Sequence, residues 1–203
     1  MKICFGTHRL NFEDKQSAKM IEFALMSGCT TIVNSSLENY DKYDEIIGEL
    51  LKQNKKLKPM VISKGGMLNS SDKKGFIKSL GIEASEEKKY FPIEKYPLFS
   101  LDEKLLNFQI NNSLKRMKRE TLDVFIIQYP EQYLIKNILS EEAFYQKINE
   151  LILFLEDKVK NKKIKEYGFS FSCLSMEEKN KFNFEKLIEL SKKGRKENHF
   201  KWI

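Results

Sequence analysis

The sequence lacks the spacings that mark metal sites and disulfide frameworks. Its 203 residues include three cysteines and two histidines. Cys4, Cys29, Cys173, His8 and His199 are too scattered to form the paired ligand spacings of a zinc site. An odd cysteine count with no export signal points to reduced thiols in the cytoplasm. The apolar run at Met1–Gly6 is too short for a leader. No run approaches the ~18 apolar residues of a membrane span, so no membrane role is expected. Neither GxGxxG after the first strand nor GxxxxGK[ST] is present, which excludes the usual dinucleotide fingerprint and a P-loop. Net charge is +7, but the lysines are interleaved with acidic residues. That pattern reads as a solvated surface and not as a nucleic-acid footprint, although a phosphate-bearing cofactor would benefit from the positive field.

What is present is an alternation of short apolar strands and amphipathic helices. Ile3–Phe5 is a strand candidate closed by Gly6-Thr7. Ala18, Ile21, Ala24 and Leu25 recur at helical spacing and stop at Gly28. Thr31–Val33 is the second strand. Ile46, Ile47, Leu50 and Leu51 form the stripe of a helix over Tyr43–Gln53. Gly48 inside that helix costs about 1 kcal/mol relative to alanine, which calls for a close approach of backbone or ligand. Met60–Ile62 is the third strand. From residue 65 to 100 the periodicity breaks down, and the aromatics Phe76, Tyr90, Phe91, Tyr96 and Phe99 indicate a lid or packed excursion. Leu101–Lys118 is a helix, with Asp102 and Glu103 at its start and Lys115, Arg116 and Lys118 at its end matching the helix dipole. The continuous run Val124–Ile127 suits a strand buried on both faces of a parallel sheet. Phe144–Lys160 and Phe184–Lys193 are helices, Ile164–Ser170 is a strand, and Phe200–Ile203 opens a sixth. The alternation predicts an α/β fold with a parallel sheet, in one domain spanning 1–203.

Four of these strands end in a polar residue: Asn34, Lys64, Gln128 and Ser170. In strand–helix repeats, the strand ends are where side chains meet a ligand. The stretch from Thr31 to Tyr40, a short apolar strand ending in a polar loop, is the one around which the chain is expected to be organised.

Several short segments carry a family resemblance through their order and spacing. They are Gly6-Thr7, Asn34-Ser35-Ser36…Tyr40, Ile46-Ile47-Gly48-Glu49, Ser63-Lys64-Gly65-Gly66, Ser113–Met117, Leu122-Asp123-Val124 and Lys163–Ser170. Together they resemble the aldo-keto reductase family, in a bacterial-type branch with a long insert after the third strand. The resemblance implies a TIM-type (β/α)8 barrel, incomplete here with about six strands. It implies NADP(H) or NAD(H) as cofactor and a small-molecule aldehyde or ketone as substrate. It further implies a catalytic aspartate, tyrosine, lysine and histidine.

Carried over by position, Lys64 matches the lysine and Tyr40 the tyrosine, with Tyr43 as the alternative. Asn34 stands where the aspartate belongs, and Gln128 where the histidine belongs. Ser170, Gly6 and Thr7 are the cofactor-binding candidates, although Phe171 follows Ser170 where a small polar residue is usual. An asparagine carries no negative charge to hold a lysine ammonium. A glutamine can orient a carbonyl oxygen but does not titrate near neutral pH. The expectation is therefore a truncated reductase, impaired in catalysis and doubtful in cofactor binding. A non-catalytic binding or regulatory protein on the same scaffold is the alternative. A separate chain supplying the rest of the barrel is an expected partner.

Overall fold

The computed structural model describes residues 4–7, 10, 15–34, 41–68, 70–93, 98–172, 182–194 and 197–203. Its central feature is a six-stranded parallel sheet. The strands are β1 (Cys4–Gly6), β2 (Thr31–Val33), β3 (Met60–Gly65), β6 (Leu122–Gln128), β7 (Ile164–Ser170) and β8 (Phe200–Trp202), and they lie side by side in that order. Every pairing in it is parallel. The connecting helices include α1 (Lys15–Met26), α2 (Asp41–Gln53), α5 (Glu103–Arg116), the single turn α6 (Gln132–Ile135), α7 (Glu141–Lys160) and α8 (Phe184–Lys192). Neighbouring strands are thus successive in the chain apart from the excursion between β3 and β6. This is the βα progression of a (β/α)8 barrel, with β1 and β8 left as the edges of an unclosed sheet.

Residue chemistry accounts for these elements. In β6, Phe125 and Ile127 face the helices, while Val124 and Ile126 join Ile62 in a cluster on the opposite face. A strand wetted on neither side has to be apolar throughout, as this one is. The helix-side core is the larger, running from Ile21 and Ile47 through Phe125 to Ile148, Leu151 and Leu155. The caps match the sequence. Asp102 accepts from the N–H groups of Lys104 and Leu105, Ser140 from Ala143, and Asn183 from Lys186. At the N-terminal end of β6, Asp123 accepts from the Val61 N–H at 2.9 Å, from Arg119 at 2.9 Å and from Lys165 at 2.6 Å. Burial pushes its pKa up, but these hydrogen bonds and cations outweigh burial and leave it lowered. This end of a barrel is the one where such anchoring serves stability and not chemistry.

Residues 65–100 are more regular than their sequence suggests. They contain a small antiparallel pair, β4 (Met67–Leu68) with β5 (Leu98–Phe99), and the helices α3 (Ser70–Leu80) and α4 (Glu87–Tyr90). The periodicity of α3 is faint in the sequence because its buried stripe is narrow. Phe76 is fully buried, whereas Leu80 is 47% exposed. Phe76 makes edge-on contacts with Tyr90, Phe91 and Phe108 at centroid distances of 5.6, 6.1 and 5.6 Å. With Leu68, Ile82 and Leu105, these rings form a second core. The excursion is a packed one.

Gly48 has the close approach that its place in a helix required. A Cβ there would lie 2.8 Å from the Arg116 carbonyl oxygen and 2.8 Å from the Met117 Cα, both backbone atoms that cannot swing aside. Gly48→Ala is expected to destabilise the fold by about 1–3 kcal/mol through overpacking, against the helix propensity alanine would otherwise add. Urea denaturation of the two proteins checks the sign.

Candidate active site

The four polar strand ends share one edge of the sheet but not one face: Lys64 lies on the side of Ile62 and Ile126, whereas Asn34 lies on the helix side, tied through Asp44 and Ser113 to Ser63. Asn34 follows β2, Lys64 is near the end of β3, Gln128 ends β6 and Ser170 ends β7, and these strands are consecutive in the sheet. Lys64 is the register partner of Ile126, and Gln128 that of Ser170. All four therefore lie at the C-terminal edge, where a barrel places its chemistry.

Asn34 is buried, and its N–H extends the ladder by donating to the Ile62 carbonyl at 2.8 Å. Its side chain lies at the centre of a chain of polar groups. The Thr7 hydroxyl donates to Asn34 Oδ1 at 2.7 Å, and Asn34 Nδ2 donates to Asp44 Oδ1 at 2.5 Å. The Ser113 hydroxyl donates to Asp44 Oδ2 at 2.9 Å and lies 3.2 Å from the Ser63 hydroxyl. All five residues are buried. They join the end of β1, β2, α2, β3 and α5 through one network.

Lys64 is half-buried, and burial holds its ammonium below the ordinary lysine range. Gln128 is buried and Ser170 half-buried. The Ser170 carbonyl accepts from the Tyr129 N–H at 2.7 Å, and Tyr129 takes a left-handed backbone conformation, φ 52°. Non-glycine residues rarely adopt that conformation, and those that do are concentrated at functional sites. Phe171 turns away from the strand end to pack on Phe182 and Phe184, with centroids 4.6 and 5.2 Å apart.

Other candidates fall as follows. Gly6 is exposed, with nothing among the described residues within 4 Å of the place a Cβ would take. Thr7 is buried, with its hydroxyl committed to Asn34. Tyr40 lies outside the described residues. The Tyr43 ring is fully buried in the helix-side core.

Sequence reasoning missed Asp44, which stands ten residues past Asn34 on a helix and carries no local signal. Ser63 and Ser113 occur in the motifs quoted above, but only the fold brings them together. Glu131, in the turn after β6, is completely buried. Its Oε1 accepts from the Ser172 N–H at 2.9 Å and from the Ser172 hydroxyl at 2.6 Å. It thereby ties the turn after β6 to the segment after β7. Among the described residues, no group of three or more His, Cys, Asp or Glu side chains is placed to hold a metal. No helix among them is long and apolar enough to cross a membrane.

The sequence pattern of the aldo/keto reductase family matches residues 2–184. The chain belongs to that family. No curated protein matches at the sequence level. Solved structures do match in fold. An aldo-keto reductase from Bacillus halodurans, AKR11C1 in its holo form, superposes with a TM-score of 0.59 at 15% identity, over 84% of this chain and 46% of that one. The glycerol dehydrogenase AKR11B4 from Gluconobacter oxydans superposes with a TM-score of 0.57 at 19% identity, over 87% and 46%. A Klebsiella pneumoniae aldo/keto reductase in complex with NADP and acetate gives 0.51 at 15% identity, over 87% and 47%. The chain spans about half the length of these relatives.

Proposed function

We propose that this chain is an NAD(P)H-dependent oxidoreductase acting on an aldehyde or ketone, with its proton chemistry impaired relative to its family. The observation that supports this reading is the run of Asn34, Lys64, Gln128 and Ser170 along one end of four adjacent parallel strands.

The residues fit the nicotinamide end of such a cofactor. Gln128 and Ser170 place an amide and a hydroxyl on neighbouring strand ends. Bound there, a reduced nicotinamide supplies the hydride that a carbonyl carbon accepts. The carbonyl oxygen then requires a proton, and Tyr40 is the residue assigned to provide it. Lys64, with its proton affinity lowered by burial, favours the phenolate that results. Gln128 orients the carbonyl oxygen by donating from its amide but cannot carry a proton to it. Asn34 has no charge with which to pair the ammonium. General acid catalysis is typically worth about 10²–10⁴-fold, so losing its tuning leaves a slow enzyme and not an inert one.

The pyrophosphate and adenine of the cofactor need contacts beyond the strand ends described above. We propose that a further strand–helix segment, supplied by a separate chain, completes the barrel. Helix α1, which follows the edge strand β1 in the chain, exposes Met20, Phe23 and Met26. The cytoplasm is the proposed compartment, in keeping with the absence of a disulfide at Cys4 and Cys29.

The test is quenching of NADPH fluorescence by the purified chain, followed by turnover of a carbonyl panel. Binding with slow turnover is the expected result. Binding with no turnover favours the non-catalytic scaffold, and no binding at millimolar cofactor removes the oxidoreductase reading for this chain.

A further inference from the structure

We propose that the N-terminal edge of the sheet, opposite the candidate active site, is a surface that binds the phosphate backbone of double-stranded nucleic acid. Along the sequence, lysines and acids are interleaved, but the fold sorts them. The turns that lead into β3, β6 and β7 lie side by side, because those strands are parallel neighbours. The turn before β3 brings Lys55, Lys56 and Lys58, and the end of α7 with the turn after it brings Lys160, Lys162 and Lys163. All six are exposed, and among the described residues none of them makes an ion pair. Neither 54–59 nor 160–163 contains an acid. Between these two turns, the turn before β6 adds Lys118 and Arg119.

The edge is held together as one surface. Asp123 accepts from the Val61 N–H at the start of β3, from Arg119 and from Lys165 on β7, which ties the three turns to one another. The Thr121 hydroxyl donates to the Lys162 carbonyl at 2.7 Å, and the Leu122 N–H donates to the Lys163 carbonyl at 3.0 Å. The walls of a groove of about 530 Å³ include Arg119, Glu120, Thr121, Asn161, Lys162 and Lys163. Cations, an amide and a hydroxyl thus stand close together, with Glu120 as the acid among them.

Helix dipoles do not account for the whole set. A cation gains from the dipole within the last turn, which covers Lys160 but not Lys162 and Lys163 beyond α7, nor Lys55, Lys56 and Lys58 beyond α2. Backbone conformation adds an independent sign. Lys118 and Lys162 follow α5 and α7 in the left-handed region, φ 54° and 56°, where helices usually place glycine or asparagine. Lysine is strained there and glycine is not. Lys118 pairs with Glu49, whereas Lys162 carries its charge outward unpaired. The chemistry of the three turns selects the partner. Lysine ammonium groups suit phosphates as point charges. None of the turns carries an aromatic on which an unpaired base could stack. None exposes a large apolar side chain to enter a lipid layer, since Leu57 and Met117 pack against the core. A duplex backbone, bound without reading of bases, fits what is left.

The experiment is fluorescence anisotropy of a labelled DNA duplex of about 20 base pairs, titrated with the full chain over a range of salt, with thermal melting of each variant. Wild type is expected to bind with a log–log salt slope of about −3 to −4, so that affinity falls about a hundredfold between roughly 50 and 200 mM salt. K162G/K163Q is expected to flatten the slope by about 2 and to weaken low-salt binding by about tenfold or more. It is also expected to melt no lower than wild type, because glycine suits the left-handed position. K55Q/K56Q is expected to flatten the slope by a similar amount from a different turn. K104Q/K136Q removes the same charge from two exposed lysines, at the start of α5 and just after α6, and is expected to stay within about twofold of wild type. Absence of salt-dependent binding, or equal weakening by K104Q/K136Q, overturns the proposal. Binding to phosphatidylserine vesicles with none to the duplex also overturns it, in favour of a lipid surface. If K162G/K163Q does not fold, K55Q/K56Q decides, with a flattened slope supporting the proposal and an unchanged one overturning it.

Discussion

Lys64→Met is expected to lower carbonyl turnover by about a hundredfold or more while leaving the fold at least as stable as before. Lys64 projects from the end of β3 among other strand ends, half-buried, with its ammonium disfavoured by the loss of water around it. Methionine keeps the length of the side chain and removes the charge, so it takes away the group that tunes the general acid and also the one that resists burial. The stability change has a definite sign. Because burial lowers the folded pKa, the unfolded chain binds more protons between that lowered value and the ordinary value of about 10.4. Wild-type stability therefore rises with pH across that window, and the Lys64→Met protein loses that rise. Turnover measured alongside urea denaturation at pH 7 and pH 10 checks both halves. A variant that loses activity by unfolding would show a lower midpoint, contrary to this expectation.

Phe125→Ala is expected to cost about 3–5 kcal/mol, with the melting temperature falling by roughly 10 °C. Phe125 is fully buried in the middle of β6 and belongs to the helix-side core. It also supports the turn after Lys64. A Cβ at Gly65 would lie 2.5 Å from Phe125 Cζ and 2.8 Å from Gln109 Oε1, so the ring packs against the backbone there. Gln109 in turn accepts from the Gly66 N–H at 2.9 Å and donates to the Met67 carbonyl at 2.8 Å. Removing the ring opens a cavity below the end of β3. The cost is therefore expected in stability and in the placement of Lys64 together, and thermal melting with turnover under fully folded conditions separates the two.

The parts of this fold that were legible in the sequence share one property: their signal is local and periodic. Val124–Ile127 reads as a doubly buried strand because both of its faces are dry. Phe144–Lys160 reads as a helix because Ile148, Leu151, Ile152 and Leu155 recur on one side, and all four are fully buried. The strand-end positions were legible because strand–helix alternation fixes where a strand stops. Helix α3 was not, since Phe76 carries its packing almost alone and a single aromatic has no period. Nor was the Asn34–Asp44 pair. The carboxylate lies ten residues away on another element, and its second partner, Ser113, lies 69 residues further on. Sequence showed an amide where the family pattern has an acid and suggested a missing charge. The structure places Asp44 against that amide, on the helix side of the sheet. Glu131 follows the same rule, because its burial depends on Ser172, 41 residues downstream.

The most direct test of the account is isotope transfer. The chain is incubated with NADPH deuterated at the nicotinamide C4 and with an aldehyde, and the alcohol is analysed by mass spectrometry. The account predicts one deuterium in the alcohol, above the level without protein, and a further fall in that signal in the Lys64→Met variant. An alcohol that carries no deuterium, from a chain that demonstrably binds NADPH, would contradict it.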